Sequence, residues 1–400
     1  MAKKRKTVRL DLDVAPAAAG FGSASAPTPA HHRIMKHFAS PFLLGPPPSE
    51  DLLALMMHMF TAEEAEVAQH LPPLRPRTAE KVAAVARRPL DEVEPVLDHL
   101  AYTKAVILGH GKKVRRYTLL PLVPGTFEMT LITADLATRN AWHQRFAELF
   151  ERVYDTGYLA DYTRRGRTVM RVLPVNSLAG SLQGAWPVER LEELFEGHKR
   201  FAIGQCQCRM AMRLVGKGCD RPLTNCLAFG PMAKPAIARG MMREVSRQTA
   251  IDAKREAEAA GCVTWIGNVR QDWRGNASCS CCGCCCHALR MINDFDAPAL
   301  IAPPHFMPVR DETCHPCRLC AEACPTGAWT YTKEDKRLDF NPRRCVGCGL
   351  CVLACPRGSL QLEPAAGRHA TDETWPSLIY KGLPSALLGT TGVWIRRLLG

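Results

Sequence analysis

The stretch from Cys314 to Pro356 constrains this chain more than any other. It reads Cys314-x2-Cys317-x2-Cys320-x3-Cys324-Pro325 and then, after an intervening segment, Cys345-x2-Cys348-x2-Cys351-x3-Cys355-Pro356. The same arrangement is written twice. Two-residue gaps let one tight loop offer three thiolates at three corners of a tetrahedron. The fourth Cys, followed by proline, is expected at the start of a helix that points the other way. Cys-x2-Cys pairs also suit zinc, but zinc leaves the third Cys, the Cys-Pro step and the repeat unexplained.

These motifs resemble the bacterial two-[4Fe–4S] ferredoxins, whose run of cysteines has this spacing and this proline. The resemblance covers roughly Ala302 to Pro364. Ala323-Cys324-Pro325-Thr326-Gly327-Ala328 and Cys345-Val346-Gly347-Cys348-Gly349 carry it as well. Glycines at such places let backbone N–H groups approach cluster sulfurs that a side chain would block. The resemblance implies two [4Fe–4S] clusters with crossed ligation. One takes Cys314, Cys317, Cys320 and Cys355, and the other takes Cys345, Cys348, Cys351 and Cys324.

A second cysteine-rich region lies upstream. Its first block holds Cys206, Cys208, Cys219 and Cys226, and its second holds Cys279, Cys281, Cys282, Cys284, Cys285 and Cys286. So many neighbouring thiols cannot all be inert packing, since exposed thiolates oxidise or take up metal. A subset of them is expected to bind one or two further [4Fe–4S] clusters, with zinc as the alternative. Contiguous cysteines cannot all reach one metal, because successive side chains diverge. Cys262 lies in a buried-strand pattern, Val263-Thr264-Trp265-Ile266, and reads as core.

The 19 cysteines all lie between Cys206 and Cys355. That distribution is no disulfide framework, and free thiolates point to a reducing, cytoplasmic setting. No apolar signal-peptide core follows the basic start, and no apolar run is long enough to span a bilayer. The net charge of +13 suits a partner with an acidic docking surface, and also nucleic acid or an anionic surface.

The fold expected is α+β. Residues 1–48 read as a basic, Ala/Ser/Pro-rich disordered leader, with His31-His32 in solvated tail and Phe42-Leu43-Leu44 as an optional anchor. Residues 49–124 show a helix–helix–helix–hairpin rhythm similar to a winged helix. A capping box at Thr61 opens one helix, Thr78 caps another, and Leu90 to Leu100 forms a third. The strands are expected at Ala105 to Leu108 and Arg116 to Leu120. Residues 125–204 form an α/β connector, with a helix from Thr133 to Tyr154, a strand from Thr168 to Val175 and a helix opened by Pro187. Residues 205–300 are the cysteine-rich region, including a helix from the cap Ser246 to Ala260, stopped by Gly261. Residues 301–364 are the ferredoxin-like domain. Residues 365–400 are an apolar, basic docking tail, for which peripheral membrane contact through Trp394 is a weaker reading.

The larger pattern resembles multidomain 4Fe–4S dicluster proteins over roughly Ser49 to Pro364. It rests on the winged-helix-like start, Pro124-Gly125-Thr126-Phe127-Glu128, the Cys-x-Cys-Arg block, the Cys-Cys-Gly-Cys-Cys-Cys block and the terminal dicluster. The Cys-Cys-Gly string is also similar to heterodisulfide-reductase-type cysteine-rich domains, but their wide spacing does not match. No dinucleotide fingerprint, P-loop or nucleophilic triad is evident. The expectation is an electron-transfer protein or subunit passing electrons to a partner oxidoreductase or multisubunit complex, rather than an independent enzyme. Two alternatives are a redox-sensing winged-helix transcription regulator and a reductase acting at the cysteine-rich centre. Acidic residues Asp91, Glu92, Glu94 and Asp98 on the third helix weigh against DNA reading.

Overall fold

The computed structural model describes residues 7–8, 20–111, 113–163, 168–179, 182, 190–269, 275–297 and 301–366. It also describes residues 374, 377, 381, 391–395 and 398 of the C-terminal tail. The chain divides into two compact units. One comprises residues 9–162, 210–216 and 387–400, and the other comprises 1–8, 163–209 and 217–386.

The first unit is mostly helical. It opens with α1 (Pro29–Phe38), within the segment expected to be disordered. Thr28 caps α1, Pro29 occupies its first turn, and Ile34 and Phe38 are fully buried. His31 is buried too, its Nε2 lying 3.0 Å from the Phe60 carbonyl. The leader reading fails here because a capped start and one apolar stripe suffice for a docked helix, whatever the composition upstream. Leu43 is buried while Phe42 is exposed.

Next come α2 (Glu50–Met59), α3 (Ala62–Ala68), α4 (Ala79–Ala86) and α5 (Leu90–Asp98). The Thr61–Glu64 capping box and the Thr78 cap form as expected. A short antiparallel hairpin follows, β1 (Leu108–His110) with β2 (Arg116–Thr118). Its first strand begins at the residue where the expected one ends. Helix α6 (Ala141–Asp155) starts well after Thr133, because Asn140 rather than Thr133 supplies the cap to Trp142 and His143. Trp142 is core, and its indole N–H donates to the His58 carbonyl at 3.1 Å.

The second unit is built on a six-stranded antiparallel sheet. Its strands are β3 (Met170–Val172), β4 (Phe201–Gln205), β5 (Thr224–Phe229), β6 (Arg243–Val245), β7 (Val263–Gly267) and β8 (Asn276–Cys281). The spatial order is β3-β7-β8-β5-β4-β6. Phe201, Ile203, Leu227, Phe229 and Ile266 pack with Ala250 and Ile251 of α8 (Arg247–Ala259) into one core. Ser246 caps α8, and Gly261 follows with φ +75°. Two further helices belong to the cysteine-rich stretch, α7 (Gln207–Leu214), of which residues 207–209 lie in this unit, and α9 (His287–Phe295).

A smaller module completes this unit. Strand β9 (Phe306–Arg310) pairs with β12 (Leu360–Pro364), and β10 (Trp329–Thr332) pairs with β11 (Arg337–Phe340). Two short helices, α10 (Leu319–Ala323) and α11 (Leu350–Leu353), each precede a Cys-Pro step. Cys324 therefore ends a helix rather than starting one. Its extended backbone (ψ 117°) is what a following proline imposes. Pro187 and Trp186 lie outside the described residues, as does most of the tail from Trp375. Among the described residues no helix is long and apolar enough to cross a membrane.

Candidate metal centres

Four of the eight cysteines in the C-terminal module surround one cavity and four surround another. Cys314, Cys317, Cys320 and Cys355 line an empty volume of about 420 Å³, with His315, Leu338 and Arg357. Cys324, Cys345, Cys348 and Cys351 line the second, of about 310 Å³, with Pro325, Trp329 and Gly347. Each set joins three cysteines of one loop to the fourth Cys of the other. The antiparallel packing of the two halves does this. A short helix carries the chain from each three-cysteine loop to a Cys-Pro step beside the opposite loop.

These pockets suit a thiolate-bound cluster. Backbone N–H groups point at sulfur, with Ala328 N 3.2 Å from Cys324 Sγ and Gly347 N 3.4 Å from Cys345 Sγ. Gly347 has φ +69°, and a Cβ there would lie 2.6 Å from the Phe306 carbonyl. Burial pushes the Cys345 thiol up to about 11 and Cys351 up to about 12. A bound cation must supply the charge that makes such buried thiols ligands. The two pockets differ in exposure. Cys317 faces solvent, whereas Cys348 and Cys351 are buried. Near the cysteine loops, His315, Arg318, Arg343 and Arg357 are exposed. Arg344 is instead a bracket between segments. It donates to the Thr326 carbonyl at 2.9 Å and pairs with Asp296 at 2.8 Å.

The upstream cysteines sort into two groups. The register Ser278–Leu227 sets Cys279 of β8 beside Cys226 of β5. Alternation then places Cys281 on the same face, opposite the α8 core. Interactions link Cys226 to Cys279, Cys279 to Cys281, Cys281 to Cys286, and Cys286 to Cys208 at the start of α7. The second group is Cys219, Cys282, Cys284 and Cys285, whose sulfurs all lie within 4.8 Å of one another. Side chains do diverge at Cys281-Cys282 and at Cys285-Cys286, as expected of neighbours. Cys284 and Cys285 converge because residues 283–285 form a turn. Cys206 is buried and pushed up to about 12 by desolvation. Cys262 is fully buried on the strand side, with its sulfur 3.4 Å from Arg209.

Buried cations serve both groups, and reading the sequence missed all three. Arg209 is completely buried, and its Nη2 lies 3.4 Å from Cys282 Sγ. Arg221 lies 3.5 Å from Cys284 Sγ and 3.8 Å from Cys219 Sγ. Lys254 of α8 is fully buried, donates to Ser280 Oγ at 3.0 Å, and feels the charge of Cys279, Cys226 and Cys281. A buried cation is costly unless anions compensate it. A Cys-x-Cys-Arg string beside a second cysteine block was the available signal for Arg209. Lys254, in an otherwise ordinary helix, gave none.

The turn of the second cysteine block also touches the C-terminal module. Asn293 Nδ2 of α9 donates to the carbonyls of Gly283 (3.0 Å) and Pro325 (2.9 Å). A family model described as a 4Fe-4S dicluster domain matches residues 313–359. No curated protein and no solved structure matches the chain. The segment 313–359 is a 4Fe–4S ferredoxin-like module, and the chain that carries it is an iron–sulfur protein.

Proposed function

We propose that this chain is an electron-transfer protein or subunit that relays electrons to or from a partner oxidoreductase. The carrying observation is the pair of cavities, each lined by three cysteines of one loop and the fourth of the other. Cys314, Cys317, Cys320 and Cys355 would hold one [4Fe–4S] cluster, and Cys345, Cys348, Cys351 and Cys324 the other. Bound clusters of this kind store and release single electrons at potentials set by hydrogen bonds to sulfur, burial and charge. The residues here supply each lever. Ala328 and Gly347 donate N–H groups to sulfur, Trp329 and Leu338 exclude water, and exposed Arg318 and Arg357 flank the Cys317 loop.

Exposure gives the relay a direction in space. The Cys317 loop, with His315, Arg318 and Arg357, is the edge for an acidic partner. The inner pocket, reached through Cys324-Pro325, abuts the Gly283 turn. A further iron–sulfur centre, held by cysteines drawn from Cys208, Cys226, Cys279, Cys281 and Cys286, would extend the relay. Lys254 balances its charge.

A cluster-sensing regulator is the weaker reading. Asp91, Glu92 and Glu94 are exposed on α5, and Asp98 on the same helix binds Arg115 of the hairpin. A helix with that face is repelled by phosphates. Replacing Cys317 and Cys348 by Ser, one at a time, tests the relay. Each variant should lose about half of the module's iron and a different EPR signal. Full iron retention in both would overturn the ligand assignment.

A further inference from the structure

The quartet Cys219, Cys282, Cys284 and Cys285 differs from the two ferredoxin-like cavities in one measurable respect: its sulfurs touch. Cys219 Sγ is 3.7 Å from Cys282 Sγ and 3.7 Å from Cys285 Sγ, and the sulfurs of Cys284 and Cys285 are 3.8 Å apart. One ion bound at about 2.3 Å to four thiolates sets a tetrahedral edge of about 3.8 Å. A cubane cluster keeps its irons and sulfides inside the thiolate tetrahedron, so its ligand sulfurs stand farther apart. Among the described residues no other group of three or more cysteines brings its sulfurs within 4.8 Å of one another, so the ligands of the two C-terminal cavities stand farther apart than the quartet's.

The charge of such a site is compensated as well. Four thiolates and a divalent ion carry two negative charges in total. The guanidinium groups of Arg209 and Arg221, both buried against these sulfurs, carry two positive charges. The assembly is neutral, which is what burial requires. Arg209 is further fixed by donation to the carbonyls of Ser280 (3.2 Å) and Pro222, and Arg221 by donation to Ala260 at 2.9 Å. Cationic donors so anchored hold the quartet's sulfurs in place.

We propose that Cys219, Cys282, Cys284 and Cys285 bind a single tetrahedral zinc ion. The site is closed, with four protein ligands and no open position, so its role is structural. It ties the Gly218–Cys219 strand to the turn after β8. It thereby fixes Gly283, which lies between two of the ligands and packs on Pro325. The inference is independent of the electron relay, since zinc has no redox chemistry to contribute.

The test is metal analysis of the full chain purified without oxygen from medium containing both iron and zinc. About one zinc per chain is expected, and it should be lost in C219S and C285S while iron, sulfide and the EPR of the reduced protein stay unchanged. Either variant could fail to fold, so zinc-edge X-ray absorption on the unmodified protein provides a second readout. Four sulfurs at about 2.3 Å are expected. Absence of zinc, loss of iron from the variants in any amount, or nitrogen or oxygen in the zinc shell would overturn the proposal.

Discussion

A Cβ on Gly283 would lie 1.9 Å from the carbonyl oxygen of Pro325. No side chain fits in that gap, so the turn between the upstream cysteines and the Cys-Pro step of the ferredoxin-like module meet backbone to backbone. Asn293 fastens both strands of the contact, and Arg344 braces it from Thr326 to Asp296.

Gly283→Ala should therefore force the two segments apart. Overpacking of this kind costs about 1–3 kcal/mol. The expected result is a lower denaturation midpoint with metal content retained. Asn293→Ala should weaken the same contact with no steric clash. An unchanged midpoint in both variants would show that the contact contributes nothing to stability.

The helical unit carries a buried ion pair, Lys104 Nζ to Glu64 Oε2 at 2.6 Å. Lys104 also donates to the carbonyls of Gly22 and Met59, and burial lowers its pKa. Glu64→Gln leaves an uncompensated buried ammonium, and breaking such a pair costs about 3–5 kcal/mol. The deficit should shrink at alkaline pH. The folded pKa of the stranded lysine lies below its unfolded value, so stability rises as the pH climbs past it. Denaturant titrations of the variant at pH 7 and pH 9.5 check both the size and the slope.

His58 makes the same unit acid-sensitive. Its Nε2 faces the Trp142 carbonyl at 2.8 Å and its Nδ1 faces Ser23 Oγ at 2.9 Å, an arrangement suited to the neutral ring. Burial lowers its pKa to about 4. The unfolded chain binds a proton near pH 6.5 and the folded chain does not. Stability is thus fully present above pH 6.5 and is lost as the pH falls toward 4. About 2 kcal/mol should be gone by pH 5. His143, lowered to about 2 by burial, acts in the same direction. In His58→Gln the pH slope between 6.5 and 5 should be shallower than in the unmodified chain. An identical slope would remove His58 from the account.

What could be read from the sequence was local. The Thr61 box, the Thr78 cap and the helix from Ser246 to the stop at Gly261 each depend on a few adjacent residues, and each formed. The doubled cysteine run was readable for the same reason, since each loop carries its own three thiols. The leader was misread because a polar composition window hid the short stripe of Ile34 and Phe38. The start of α6 was misplaced because the expected helix began at Thr133, whereas the capping hydrogen bonds are accepted by Asn140. The division of the upstream thiols was not legible at all. It rests on the pairing of Ser278 with Leu227 and on a tight turn at residues 283–285. Burial of Arg209, Arg221 and Lys254 was hidden for a related reason. A cation belongs in a core only beside compensating groups, and for these three the groups are thiolates that come together only in the folded chain.

The most direct test of the relay is iron and acid-labile sulfide per chain on protein purified without oxygen, with EPR of the reduced sample. Two clusters in the 313–359 module and one upstream predict about twelve irons with matching sulfide, and signals from interacting reduced [4Fe–4S] clusters. About eight irons would confine the clusters to the C-terminal module and remove the upstream centre from the relay. Fewer than that, or thiols occupied by zinc throughout, would contradict an electron-transfer role.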